Sequence, residues 1–187
     1  MGKNKRSKNT FKFKGLSSSN EESKIEFKFH QFAFTSIKID GFSNFYKNSE
    51  EAHKKLSVIF GKIIPTIHGK RFSQIQFDSQ YHFHKIDDRE QNMLYKRIIR
   101  ELAKKEYPNM NPSNRDEYVN QYFFDSENIY QIGVQGVDCT RIVGILNDNI
   151  FEVIFFDIYH MIYPNKNYNE SDLSKYKYSP FLEKRVK

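Results

Sequence analysis

The chain has 187 residues, which suits one domain large enough to bury a core without disulfides or a structural metal. Cys139 is the only cysteine, so the sequence excludes a disulfide framework and a four-cysteine zinc site, and it favours a reducing compartment. The net charge of +7 favours polyanionic partners, with RNA preferred to DNA, although Lys- and Asn-rich usage can equally reflect an AT-rich coding sequence.

Composition divides the chain into three parts. Residues 1–23 are rich in Lys, Asn and Ser and predict a disordered basic arm. Residues 24–167 predict a single α+β domain, and residues 168–187 predict a basic, flexible tail. The basic N-terminus lacks the apolar run of a signal peptide, and no segment has the length of a membrane span. We therefore expect a cytoplasmic protein with no membrane partner.

The first half of the predicted domain contains strand and helix patterns in turn. Apolar residues recur at every second position over much of residues 25–39 and predict one long strand or two short ones. Asn48 and Glu51 have the spacing of a capping box, and the helix that follows them is expected to stop at Pro65. Residues 70–85 alternate less regularly, and their pattern does not decide between helix and strand.

The middle of the chain predicts a second helix and then a loop. Asp87 and Glu90 form a second capping box, and Pro108 marks the end of the helix that follows. Residues 108–126 carry two prolines and several turn formers, and they predict a loop with a short helical turn around residues 116–122.

The strands that follow complete the predicted fold. Residues 141–146 and 150–156 are rich in Ile, Val and Phe, and the Asn-Asp-Asn sequence between them tolerates the backbone of a tight turn, so they predict a β-hairpin. The fold class that follows is α+β, with a mostly antiparallel sheet packed on one face by two helices. Three glycines in this region predict bulges or tight turns: Gly133, Gly136 and Gly144.

Two histidines form a candidate metal site. If the segment is extended, His82 and His84 lie on the same face of a strand, close enough to share a divalent metal. A third ligand such as Asp157 or His160 would then be needed. The alternative is that both histidines face solvent on a strand and bind no metal.

Polar residues at the end of the last strand form a candidate catalytic site. Asp157 can accept a hydrogen bond from one ring nitrogen of His160 and leave the other nitrogen free for proton transfer, while Tyr163 adds a phenol. Arg141 can hold a phosphate. The alternative is a turn in which Asp157 accepts from backbone amides while His160 and Tyr163 pack beneath it.

Residues 141–164 resemble the C-terminal hairpin of the RelE/ParE superfamily of bacterial toxins. In that family a strand that begins with Arg is followed by a second strand and a His-x-x-Tyr ending, and the matching residues here are Arg141, His160 and Tyr163. The segment also resembles small uncharacterised bacterial proteins with a similar ending. The resemblance implies cleavage of messenger RNA, as in the RelE kind, or action on gyrase, as in the ParE kind, and neutralisation by a cognate antitoxin protein.

Three functional hypotheses follow. The first is a RelE-like toxin that acts as a metal-independent endoribonuclease, without a cofactor, through Arg141, Asp157, His160 and Tyr163. The second is a non-catalytic module that binds nucleic acid or protein, in one version as part of phage defence. The third is a metal-dependent hydrolase built on His82 and His84.

Overall fold

A mixed sheet of five strands lies at the centre of the structure, a computed structural model that describes residues 23–164 and 172–181. Its strand order is β1-β7-β6-β5-β4, and β2 and β3 form a separate two-stranded sheet. β1 pairs with β7 in parallel, whereas the remaining ladders are antiparallel. The strands are β1 (Glu26–Phe29), β2 (Lys38–Ile39), β3 (Phe42–Ser43), β4 (Tyr81–Lys85), β5 (Ile129–Val134), β6 (Arg141–Asn147) and β7 (Ile150–Asp157).

Helices cover the sheet within the described residues. The α-helices are α1 (Ser49–Val58), α2 (Ile64–Ile67), α3 (Phe72–Phe77), α4 (Arg89–Glu106) and α5 (Pro112–Val119). A π-helical turn at Ile59–Ile63 joins α1 to α2, and a second one at Asn120–Phe124 extends α5. A short 3-10 helix at Gln31–Phe34 follows β1.

The predicted α+β class is confirmed, and most of the sheet is antiparallel as expected. The two predicted helices nevertheless lie on opposite faces of the sheet, not on one. On the α1 face, Ile59 packs in a core with Ile132 and Ile142 of the sheet. On the α4 face, Ile98 packs with Val143 in a second core. Because β5, β6 and β7 are apolar on both faces, each face needs its own helical cover.

The β6–β7 hairpin is also confirmed. Asn147 pairs with Ile150 across a two-residue turn, in which Asp148 has a φ of +54°. The ladder contains a bulge, since Val143 pairs with Phe155 and Gly144 with Val153. The bulge lets both Ile154 and Phe155 reach the α4-face core.

Helix boundaries differ from the predicted ones. Asn48 caps α1 as expected, since its side chain accepts from the amide of Glu51 at 2.9 Å. Pro65 does not end this helix: the π-helical turn precedes it, and the chain stays helical to Ile67. The second helix takes Asp88 as its N-cap residue, one position later than predicted.

Three further segments refine the prediction. Residues 70–85, whose class the pattern left undecided, contain both α3 and β4, and the predicted loop at residues 108–126 is largely helical. Residues 172–181 pack on the domain, with Leu173 and Tyr176 in the α1-face core, so for them the predicted flexible tail is wrong. The predicted basic arm lies outside the described residues except for Ser23. Across the described residues, no helix is both long and apolar enough to cross a membrane.

Candidate functional site

Two cross-strand pairs on the α4 face bring the predicted site residues together. Backbone pairing places His82 of β4 opposite Gly133 of β5, and Arg141 of β6 opposite Asp157 of β7. The Arg141 side chain lies against Gly133, so the two pairs form one row across the sheet. His160 lies beside this row, in the turn that follows β7.

Gly133 makes room for Arg141. A Cβ atom on Gly133 would lie 2.7 Å from Nε and 2.8 Å from Cζ of the Arg141 side chain, closer than real Cβ contacts allow. The sequence had predicted a bulge or a tight turn at Gly133. Instead, Gly133 lies in a regularly paired strand, at a position where another side chain approaches the backbone closely. Gly144 does lie at the bulge, and Gly136 has a turn conformation with a φ of +74°.

Arg141 is nearly buried, with a relative exposure of 6%. Its Nη1 atom donates to the carbonyl oxygens of Asp138 and Thr140, both at 3.0 Å. Its Nε atom is buried and has no hydrogen-bond partner among the described residues. The guanidinium is therefore held in place from one side, and it contributes a fixed positive charge to the row.

Asp157 serves mainly to hold the turn after β7. Its buried carboxylate accepts from the backbone amides of Met161 at 2.7 Å and Ile162 at 2.9 Å, and from Nε2 of Gln131 at 2.8 Å. Burial raises the pKa of Asp157 to about 6, although these hydrogen bonds and Arg141 oppose the increase. These contacts correspond to the predicted alternative, in which Asp157 accepts from backbone amides.

Three imidazoles share a positive environment around Arg141. Burial, Arg141 and the other two histidines lower the pKa of His160 to about 4. Burial and Arg141 also lower the pKa values of His82 and His84. All three rings are therefore predominantly neutral near pH 7, the state in which a ring nitrogen can accept a proton. His160 has a φ of +56°, so its backbone is in the left-handed region.

Tyr163 ties the turn after β7 to the edge strand. Its hydroxyl donates to the carbonyl oxygen of Lys85 at 2.8 Å, and its ring lies 5.4 Å from that of His84. Burial and the nearby carboxylates of Asp87 and Asp88 raise its pKa to about 12. The phenol is thus a hydrogen-bond donor to the backbone of β4, and its ring lies against His84.

The histidine pair has no third metal ligand within the described part of the chain. No group of three or more His, Cys, Asp or Glu side chains there is arranged to hold a metal ion. Neither Asp157 nor His160 is arranged with His82 and His84 to supply the third ligand that a metal site would need.

Sequence reasoning missed two residues of this site. Gln131 is fully buried in β5 and reaches Asp157, and Gly133 accommodates Arg141. One signal was available for both: a polar residue and a glycine alternate within the otherwise apolar strand IYQIGV. A buried glutamine in a strand needs a polar partner, and this requirement could have pointed to Asp157.

Residues 28–186 match the model of a protein family described as Uncharacterised protein UU032. The chain belongs to this family. The matched residues include the whole row of His82, Gly133, Arg141 and Asp157, together with His160. No curated protein and no solved structure matches the chain.

Proposed function

We propose that this member of the UU032 family is a metal-independent endoribonuclease that acts on RNA, in the manner of a RelE-like toxin. The observation that carries the proposal is the placement of His82 and His160 beside the fixed guanidinium of Arg141 on one sheet face. Two imidazoles and a cation are the groups that RNA cleavage by proton transfer needs.

The electrostatics favour an anionic substrate. Arg141 and the neighbouring imidazoles disfavour protonation of His160, whereas the carboxylate of Asp157 is engaged by backbone amides and Gln131. A phosphodiester that enters this environment would offset the positive potential and raise the histidine pKa values again. One imidazole could then act as an acid while another stays neutral and acts as a base.

The reaction that we propose is an internal transfer at phosphorus. A neutral imidazole removes the proton from a ribose 2′-hydroxyl, and the 2′-oxygen forms a bond to the adjacent phosphorus. A protonated imidazole gives its proton to the 5′-oxygen as the bond from phosphorus to that oxygen breaks. The products are a 2′,3′-cyclic phosphate and a 5′-hydroxyl, and the positive charge of Arg141 stabilises the charge that develops on the phosphoryl oxygens.

In this mechanism, three residues have roles that differ from those expected from sequence: His82, Asp157 and Tyr163. His160 and His82 form the proposed acid–base pair, with His84 beside them, and Arg141 keeps its predicted role. Asp157 and Tyr163 become positioning residues, because their polar atoms bind the backbone of the turn and of β4.

The direct test is cleavage of a labelled single-stranded RNA in the presence of a chelator. We expect the wild-type protein to leave a 2′,3′-cyclic phosphate and the His160→Asn variant to lose at least about a hundredfold in rate, since general acid–base catalysis contributes that much or more. Asn tolerates the left-handed backbone at this position. His53→Asn is the matched control, because His53 is exposed on α1, away from the α4 face.

The same assay can also contradict the proposed mechanism. RNA with 2′-O-methyl groups has no 2′-hydroxyl proton to remove, so it should remain intact. Cleavage of that RNA, or equal rates for wild type and His160→Asn, would rule out the proposed mechanism. In cells, induced expression should inhibit growth, and a cognate antitoxin protein should relieve the inhibition.

A second candidate is a non-catalytic module that binds nucleic acid or protein. The observation that favours it is that Asp157 and Tyr163 are engaged by the backbone, while Arg141 is nearly buried. Tight binding of RNA with no cleavage by the wild-type protein would support this candidate over the endoribonuclease.

A further inference from the structure

The outer surface of α4 carries a row of positive side chains. Along this helix, positions three and four apart share one face, so five of its six cations form a stripe that points away from the α4-face core. The helix has three acids: Glu90 and Glu101 lie at one margin of the stripe, and Glu106 lies outside it, where it accepts a hydrogen bond from Thr35. The members of the stripe are Arg89, Lys96, Arg97, Arg100 and Lys104.

Two of these cations converge on a single aromatic ring. Nζ of Lys96 lies 5.3 Å from the centroid of the Phe124 ring, and Cζ of Arg100 lies 5.0 Å from it. Phe124 ends the π-helical turn after α5 and packs against the α4-face core. A rigidly placed ring therefore holds both positive charges at the surface.

Lys96 and Arg100 differ from Arg97 and Lys104, because only the latter two have a carboxylate within ion-pair distance among the described residues. Lys104 pairs with Glu101 at 3.3 Å, and Arg97 lies 3.7 Å from Asp40. Among the described residues, no carboxylate lies within ion-pair distance of Lys96 or Arg100. The ring thus gathers two like charges that no acid in the described part of the chain neutralises.

We propose that Lys96 and Arg100, held by Phe124, bind the phosphates of a single-stranded nucleic acid. Because two cations lie over the ring and phosphate contacts carry no sequence information, the surface reads backbone charge and not base identity. The identity of the strand as RNA rests on the proposed function. Since α4 covers the sheet face that carries His82 and Arg141, a strand bound on this helix lies on the same side of the domain as the proposed cleavage site.

The test is the salt dependence of binding. A labelled single-stranded RNA is titrated with protein in the His160→Asn background, so that no cleavage interferes, over a series of salt concentrations. Adding Lys96→Gln and Arg100→Gln should reduce the slope of log affinity against log salt by about 1.4, since each phosphate contact with a single strand contributes about 0.7.

The matched control removes the same number of charges elsewhere. The control variant combines Lys54→Gln with Lys62→Gln. Both lysines are exposed on the helical segment that covers the opposite sheet face. This double variant has the same net charge as Lys96→Gln with Arg100→Gln, and its slope should equal that of the parent. Equal slopes for the two double variants, or no RNA binding by the parent, would overturn the docking surface.

A third variant separates the ring from the charges. Phe124→Leu keeps an apolar side chain and both cations but removes the ring that orients them. We expect affinity to fall about threefold, because each exposed cation–π contact contributes modestly. Unchanged affinity would show that the ring does not hold the site. Because none of these measurements involves bond cleavage, their failure leaves the cleavage test of His160→Asn to decide the proposed function separately.

Discussion

The Arg141 side chain occupies the space beside Gly133 that a larger residue would need. A Cβ atom on Gly133 would lie 2.7 Å from Nε of Arg141, and the neighbouring strand places His82 directly opposite Gly133. The position of the guanidinium beside the histidines therefore depends on the absence of a side chain at residue 133.

Gly133→Ala should displace Arg141 without changing any charge. We expect a loss of stability of about 1–3 kcal/mol, the usual cost of overfilling a packed region. We also expect a loss of RNA cleavage as large as that of Arg141→Gln. Chemical denaturation and the cleavage assay measure the two effects.

The matched control for this prediction is Gly61→Ala. Nothing lies within 4 Å of a Cβ atom on Gly61, and its φ is not positive, so alanine fits there. Its stability should be unchanged or slightly higher, because alanine restricts the unfolded chain. Full cleavage activity in Gly133→Ala would show that the reaction does not require the Arg141 side chain to lie against residue 133.

Asp157→Asn should destabilise the turn after β7. An asparagine side chain has only one acceptor oxygen, whereas the carboxylate accepts from Met161, Ile162 and Gln131 with two. A buried amide that loses its partner costs about 1–3 kcal/mol. Asp116→Asn, on an exposed position of α5, should leave the free energy of unfolding unchanged.

Asp157 should also contribute to the pH dependence of stability. Its pKa in the folded protein, about 6, is above its ordinary value of 3.8, so the folded state binds this proton more tightly. This contribution is therefore fully present below about pH 4 and is lost as pH rises through about 6. The decrease should be absent in Asp157→Asn when unfolding is measured across that range; a persistent decrease would assign it to another group.

His160 should have the opposite effect. Its folded pKa of about 4 is below the ordinary 6.5, so the unfolded state binds the proton more tightly. Stability from the neutral ring is present above about pH 6.5 and is lost as pH falls through about 4. His160→Asn should flatten this decrease in urea denaturation at a series of pH values. An unchanged profile would mean that His160 is not held in its low-pKa environment.

Tyr163→Phe distinguishes a positioning role from a catalytic one. The variant keeps the ring that packs on His84 but loses the hydrogen bond to the carbonyl oxygen of Lys85. We expect a loss of about 0.5–1.5 kcal/mol in stability, the net value of a typical hydrogen bond. The rate of RNA cleavage at saturating substrate should be within a fewfold of wild type. A loss of rate as large as that of His160→Asn would instead make the phenol a catalytic group.

The sequence by itself determined the local features of this protein. The Asn-capped start of α1, the two-residue turn at Asp148 and the apolar strands of the hairpin all follow from short-range rules, because caps and tight turns depend on a few adjacent side chains. The same rules misplaced the end of the first helix, since a π-helical turn accommodates Pro65. They also assigned the helix-rich residues 108–126 to a loop.

Only the tertiary structure decided how the site is assembled. His82 and Arg141 are 59 positions apart in the chain, and their proximity follows from the order of β4, β5 and β6 in the sheet, which alternation patterns do not specify. The placement of the two main helices on opposite faces has the same origin. The role of Asp157 was decided by the backbone of the next five residues, which folds back to donate its amides to that carboxylate. Long-range strand order and backbone path depend on which faces the whole chain can bury at once, and no local segment contains that information.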